Sequence, residues 1–200
     1  MLPGYPGSLR RPMQDWRDAV WRAVPEGAEP ERFAARRAFL LAHVAAGQRV
    51  LDLGCGDGAF AAELLEAGCE VTMADVAGEA LRRARVRAPG AEAVQLVEGA
   101  PLPFAEDDFD VVWAGEVLEH VADVVGLLAE VRRVLRWGGA LLATTPWHGR
   151  LVVATDAHFD PRADHLRFFS ARTLRAVLAD TGFASARVRR AGRGLHARAS

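Results

Sequence analysis

Val50-Leu51-Asp52-Leu53-Gly54-Cys55-Gly56-Asp57-Gly58 is the stretch that decides the fold. An apolar run ends in a carboxylate, three glycines alternate with other residues, and an amphipathic stretch begins at Ala59. That order reads as a strand, a glycine loop and a helix. Glycine takes turns that a side chain blocks and lets the backbone pass close to a ligand. About one βα unit later, Asp75 closes the next apolar run, where a carboxylate can accept both hydroxyls of a ribose. The stretch therefore predicts a site for a ligand that contains a nucleoside.

Outward from it, strands and helices alternate. Strands are predicted over 49–53, 70–75, 93–98, 110–114 and 140–145, and helices over 59–67, 78–88 and from a cap at Asp123 to Leu135. Gly68, Pro89-Gly90 and Gly138-Gly139 punctuate them. Alternating βα units of this length predict an α/β fold with a parallel sheet covered on both faces and right-handed crossovers. Upstream, 15–24 reads as a short helix, and a longer helical pattern runs from Pro30 to Gly47. Downstream, Ser170 caps a further helix, and 183–190 and 195–199 read as two strands joined by Gly192-Arg193-Gly194, a turn short enough to make them antiparallel. Residues 146–169 lack periodicity, and loops that long in compact domains are usually functional. The expected organisation is an N-terminal lid over 1–30 and a single domain over 31–200.

Composition narrows the class. The chain has 200 residues, 50% hydrophobic and 26% charged, with a net charge of −1, as expected of one globular domain. No apolar run has the length of a membrane span, and the first residues lack the charged start and apolar segment of a secretory signal. Cys55 and Cys69 fit neither a zinc pattern nor a disulfide framework and are read as reduced thiols of a cytoplasmic protein. All 25 basic residues are arginine, and residues 161–200 hold nine of them against two acids. The arginine excess fits a GC-rich coding sequence. It also allows an arginine wall facing an anionic substrate or nucleic acid. Near-neutral net charge favours the first, so nucleic acid is not the expected partner.

The glycine loop also satisfies the dinucleotide pattern G-x-G-x-x-G/A, with Asp75 at about the right distance for its ribose acid. Two features argue against a nicotinamide enzyme. Asp52 sits where such loops keep an apolar residue beside the pyrophosphate, and its charge would repel phosphate while suiting an ammonium group. The chain also has no second domain to hold a hydride acceptor.

From Val50 to Asp75 the chain resembles motif I and the following acidic strand end of class I S-adenosylmethionine-dependent methyltransferases. Further likenesses follow in that family's order: Glu98 with Leu102-Pro103-Phe104, Phe109-Asp110-Val111-Val112, Glu116-Val117-Leu118-Glu119-His120-Val121, and Arg133-Val134-Leu135-Arg136-Trp137-Gly138-Gly139, where Trp137 replaces the usual proline. The resemblance covers about residues 30–190. It implies a doubly wound, Rossmann-like sheet of seven strands, mostly parallel with the last antiparallel, and S-adenosyl-L-methionine as cofactor. On that resemblance Asp52 would face the methionyl ammonium, and Gly54, Cys55 and Gly56 would line the methionyl and ribose part. Asp75 would hold the ribose and Val76 would pack on the adenine. Glu98 with Gly99 would lie near the adenine amino group, and Glu116 would touch the cofactor.

The acceptor is expected to be a small molecule methylated at oxygen. Candidate bases for its proton are His120, His148, His158 and His165 on the loops after the fourth and fifth strands, with His120 and His165 the preferred catalytic pair. Glu116, Glu119, His120 and His165 resemble the metal site of ubiquinone-pathway O-methyltransferases and of small-RNA 2′-O-methyltransferases. There a divalent ion such as Mg²⁺ would bind substrate oxygens. Trp113 is expected in the core, Trp147 is open between core and acceptor wall, and Arg150, Arg162 and Arg167 are candidates for an anionic group. Two other readings stay open: an RNA 2′-O-methyltransferase, and a cofactor-binding interaction module without catalysis. A monomer or a homodimer is expected.

Overall fold

The computed structural model describes residues 13–147 and 165–200. The elements, in chain order, are α1 (Met13–Ala23), α2 (Phe33–Leu41), β1 (Arg49–Leu53), α3 (Ala59–Glu66), β2 (Glu70–Asp75), α4 (Gly78–Arg87) and β3 (Glu92–Gln95). Then come β4 (Phe109–Gly115), a 3₁₀ turn (Leu118–His120), α5 (Val124–Val134), β5 (Leu135–Pro146), α6 (Ala171–Asp180), β6 (Ala186–Ala191) and β7 (Gly194–Ala199). They build one seven-stranded sheet in the order β3-β2-β1-β4-β5-β7-β6. β1 pairs in parallel with β2 and β4, β2 with β3, and β4 with β5, whereas β7 lies antiparallel between β5 and β6. The strand order reverses at β1, so the carboxyl ends of β1 and β4 flank a crevice of the kind where open α/β sheets bind ligands.

The core has two parts, one on each face of the sheet. Leu40 of α2, Phe60 and Leu64 of α3 and Leu81 of α4 bury against Val50, Met73, Val111, Trp113 and Leu142. On the other face Leu128 and Val131 of α5 and Leu174 and Leu178 of α6 bury against Leu51, Leu53, Val112, Leu141 and Leu195. Val50 to Leu53 are all buried because β1 is central and covered on both sides, which is why that run does not alternate with polar residues. Trp113 is fully buried, as its sequence neighbours suggest.

Local chemistry sets the ends of these elements. Asp123 accepts a hydrogen bond from the Gly126 N–H to cap α5, and Ser170 with Thr173 forms a reciprocal capping box on α6. β5 starts at Leu135, directly after α5, instead of at Ala140 as expected, and its register against β4 shifts between Phe109 and Val111. Gly139 permits that irregular approach, since a Cβ there would lie 2.9 Å from the Arg136 carbonyl oxygen and 3.0 Å from that of Asp110. β3 is shorter than expected: Leu96 still bonds through its N–H to the Asp75 carbonyl, but the chain then leaves the sheet, with Gly99 in the left-handed region at φ 77°. Both cysteines are buried and unbridged. Among the described residues, no helix is long and apolar enough to cross a membrane.

Candidate active site

β1 delivers Asp52 to the carboxyl edge and the glycine bend follows it. The Gly54 and Cys55 N–H groups both bond to the Ala74 carbonyl of β2, at 2.7 and 3.1 Å, which folds the bend over the end of β2. Gly54 and Gly56 have φ of 69° and 57°, and a Cβ would meet the Val117 methyl at 2.5 Å and the Trp21 ring at 2.8 Å, respectively. The sequence thus uses glycine where both conformation and space demand it. Asp75 accepts hydrogen bonds from the Gly56 N–H at 3.0 Å and the Ala77 N–H at 2.9 Å, one on each carboxylate oxygen. Burial pushes its carboxyl up while those two bonds pull it down. Each oxygen keeps a lone pair, so the carboxylate is held in place with capacity for two more donors.

Asp52 is buried, and its Oδ2 has no hydrogen-bond partner. Loss of water, with the Asp75 charge adding to it, pushes its carboxyl up to about 7, and Arg36 opposes the rise. Arg36 lies inside α2 at 5% exposure with its guanidinium 4.6 Å from the centre of the Phe60 ring. Burial lowers its pKa despite the attraction of Glu116, Glu119 and Asp52, and its Nε is also unpartnered. Its Nη2 lies 2.5 Å from where a Cβ of Gly115 would be, so only glycine at the end of β4 leaves room for it. A buried carboxylate and a buried guanidinium, each with unmet bonding capacity, therefore lie within electrostatic reach of each other beside the glycine bend. An amino acid's ammonium and carboxylate would satisfy that pair, and the ribose capacity of Asp75 lies next to it. The chemistry of the donor set fits an adenosyl amino acid.

The chain after β4 is strained. Glu116 has φ of 61°, its carboxylate is bonded by Arg32, and Arg32 at the start of α2 is itself left-handed at φ 56°. Arg32 also donates to the Arg193 carbonyl at 2.6 Å, which ties α2, the loop after β4 and the β6–β7 turn together across the carboxyl edge. Strain of this kind collects at functional sites. Glu119 is buried at 1% exposure, and burial with the nearby Glu116 charge pushes it up to about 7. The Thr145 hydroxyl faces it without reaching good hydrogen-bond geometry.

Leu166 and Arg167 donate backbone bonds to the Glu119 carbonyl at 2.8 and 3.2 Å, and this clip brings His165 to His120 with ring centres 4.9 Å apart. Ligand atoms of Glu119, His120 and His165 all lie within 4.8 Å of one another. Glu116, expected as their fourth member, stands with Arg32 instead. The rest of the expected set is more scattered. Val76 is half-buried against the core, while Glu98 and Gly99 are exposed, with open space around Gly99. Arg167 bonds the Val121 and Ala122 carbonyls, and Trp147 is half-buried beneath the Arg190 guanidinium, 3.6 Å from its ring centre. His148, His158, Arg150 and Arg162 lie outside the described residues.

α1 lies over the bend. Trp21 packs on Gly56, Asp18 accepts a bond from the Glu79 N–H at 2.9 Å, and Arg17 donates to the His120 carbonyl at 3.1 Å. The three arginines that frame the site, Arg17, Arg32 and Arg36, were not singled out by the sequence reading. For Arg36 a signal exists: it falls three residues after Phe33 and four before Leu40, so it lies on the apolar stripe of its helix, where an unpaired charge is out of place.

A family described as "methyltransferase domain" matches residues 51–143, the glycine bend through most of β5. GfsG, a methyltransferase of Streptomyces halstedii, is 42% identical over 104 residues, covering 49% of this chain and 37% of that protein. A protein of Mycolicibacterium smegmatis described as a probable S-adenosylmethionine-dependent methyltransferase is 31% identical over 165 residues, 81% of this chain and 63% of that protein. The malonyl-[acyl-carrier protein] O-methyltransferase of Enterobacter lignolyticus is 33% identical over 64% of this chain and 51% of its own length. The chain thus spans from about a third to under two thirds of the length of these relatives. A methyltransferase from Haloferax volcanii, solved with the Trm112 activator, superposes with a TM-score of 0.73 at 20% identity over 96% of this chain and 98% of that one. An S-adenosylmethionine-dependent methyltransferase from Aquifex aeolicus gives 0.70 at 18% over 91% and 97%, and at such identities both speak for the fold. With the ordered motifs, the strand order and these relatives in agreement, residues 51–143 form a methyltransferase domain, and the chain is similar along most of its length to S-adenosylmethionine-dependent methyltransferases.

Proposed function

We propose that this chain transfers a methyl group from S-adenosyl-L-methionine to an oxygen of a small-molecule acceptor. The observation that carries the reading is the pair of buried, incompletely bonded charges, Asp52 and Arg36, beside an Asp75 carboxylate already oriented by two backbone N–H groups. Asp75 accepts the ribose hydroxyls, Asp52 faces the ammonium and Arg36 the carboxylate of the amino-acid arm. The backbone of Gly54, Cys55 and Gly56 lines that arm, Val76 borders the adenine, and Glu98 with Gly99 marks its outer rim. Glu116, held by Arg32, closes the methionyl end. The bound cofactor supplies a methyl on a sulfonium, so the protein's task is alignment and exclusion of water. Of the lid expected over 1–30, α1, seated on the bend, is the part that excludes water, and residues 1–12 lie outside the described residues.

His120 and His165, with ring centres 4.9 Å apart, accept the proton of an acceptor hydroxyl, and this pair of bases supports the choice of oxygen as the nucleophile. The O-methyltransferase among the relatives supports that choice. A divalent cation such as Mg²⁺ would use Glu119, His120 and His165, whose ligand atoms lie within 4.8 Å of one another, and would serve to acidify the hydroxyl. Loss of turnover in EDTA with recovery on adding Mg²⁺ supports the cation, and turnover indifferent to EDTA removes it. Isothermal titration with S-adenosylhomocysteine tests the cofactor reading. The folded chain is expected to bind it, and Asp75→Ala to weaken binding by at least about 100-fold, since two hydrogen bonds to a charged group are lost. A folded protein that does not bind, or an unchanged affinity in the variant, overturns it.

A further inference from the structure

The β6–β7 hairpin carries arginines that no carboxylate contacts among the described residues. Arginines elsewhere are commonly paired, as Arg83 with Glu79 at 2.9 Å and Arg133 with Glu130 at 2.8 Å. Arg187, Arg189, Arg190, Arg193 and Arg198 have no carboxylate partner among the described residues, and residues 181–200 contain no acid at all. Register places three of them on one face. Val188 and Ala197 are cross-strand partners buried on the α6 side, so their neighbours point the other way: Arg187 opposite Arg198, and Arg189 opposite His196. The His196 ring meets Phe39 of α2 at 4.7 Å, and beyond it Arg187, Arg189 and Arg198 are exposed. Like charges directly opposite each other destabilise a strand pair. Arginine on an edge strand can guard against unwanted pairing. That explains β6, but not Arg198, since β7 has both of its edges already paired.

We propose that this face of the β6–β7 hairpin is a docking surface for an acidic protein. The complement it needs is a compact patch of carboxylates spaced a few ångströms apart. A long polyanion fits less well, because the strip is short and residues 51–147 next to it hold 17 acids against seven arginines. The hairpin turn also joins the site, for the Arg193 carbonyl accepts bonds from the Trp147 N–H and from Arg32. A partner seated on the strip therefore stands beside the carboxyl edge, where it can present an acceptor that it carries. The docking stands without the methyl-transfer reading, and only this last purpose rests on it.

The test is fluorescence anisotropy with a short labelled polyglutamate, no longer than the strip, and with an oligouridylate of equal charge, at low salt. Wild type is expected to bind the polyglutamate in preference. The variant R187Q/R189Q/R198Q is expected to bind it at least about tenfold more weakly, Arg85→Gln on α4 to bind as wild type does, and S-adenosylhomocysteine affinity to stay unchanged in both. Arg198→Gln alone is expected to raise Tm by about 1–3 °C by relieving the Arg187–Arg198 repulsion. Absence of binding by wild type, an equal loss in Arg85→Gln, tighter binding of the oligouridylate through the same arginines, or a lower Tm in Arg198→Gln overturns the proposal. Arginine-dependent polyglutamate binding by a chain that ignores S-adenosylhomocysteine upholds the docking surface and rejects the methyl-transfer reading instead.

Discussion

Asp52 links protonation to both folding and binding. Its carboxyl, near 4 in an unfolded chain, is pushed up to about 7 by burial in the ligand-free fold, so between those values the folded chain holds a proton that the unfolded chain has lost. The unfolded state then binds fewer protons, and this group's contribution to stability falls as pH rises from about 4 to about 7 and is level above. A ligand ammonium reverses the preference by favouring the carboxylate. Affinity for S-adenosylhomocysteine is therefore expected to rise with pH up to about 7 and then level off, with a proton released on binding below that point. Titration calorimetry in buffers of different ionisation heat counts that proton. Asp52→Asn should abolish both the release and the slope, and a slope retained in the variant assigns it to another group. Asp52 and Asp75 were legible in the sequence because both end apolar runs at strand termini, where a carboxylate is conspicuous. Arg32 and Glu116 were not legible as a pair, because 84 positions separate them and only the tertiary fold brings them together.

Among the elements, α1 is the one whose attachment is most open to test. α4 begins after Ala77, which has no side chain able to cap it, and its Glu79 N–H is bonded by Asp18 from α1. One helix thus supplies the other's missing cap. Asp18→Ala is expected to cost about 0.5–2 kcal/mol, the usual value of an N-cap, and to speed hydrogen exchange in both α1 and the first turn of α4. Faster exchange in α4 alone would mean that α1 is held by Trp21 and Arg17 without it. The alternating elements were readable because β1, β2 and β4 are short, largely apolar runs closed by a glycine or an acid, and the helices between them show apolar stripes. What could not be read was set by distant partners. β5 begins early because Leu135 pairs with Phe109 of β4 ahead of an irregular stretch at 136–139, and the 3₁₀ turn at Leu118–His120 is shaped by the Glu119 carbonyl meeting the 165–167 segment. Local propensity carries no trace of either.

Across the whole molecule, unmet polar groups are not spread evenly. Every buried side-chain nitrogen or oxygen without a partner belongs to Arg17, Arg32, Arg36, Asp52, Trp113, Glu116, Glu119, Thr144 or Thr145 among the described residues. All lie in the carboxyl halves of β1, β4 and β5, in the loop after β4, or in the helices packed over it. A buried polar group without a partner costs about 1–3 kcal/mol, so the ligand-free fold concentrates its destabilisation in one place while the apolar cores on both faces hold the sheet. A ligand that meets even part of this demand binds the folded state alone and raises its stability by mass action. At a concentration about 100 times its Kd, S-adenosylhomocysteine is expected to add about 2.7 kcal/mol, or a rise in Tm of about 5–10 °C for a chain of this size. Asp75→Ala should remove most of the rise at the same concentration without shifting the ligand-free Tm by as much. A scan in which nicotinamide dinucleotides raise Tm and S-adenosylhomocysteine does not would mean that the glycine bend holds a pyrophosphate, and that the unmatched charges of Asp52 and Arg36 answer to a different ligand.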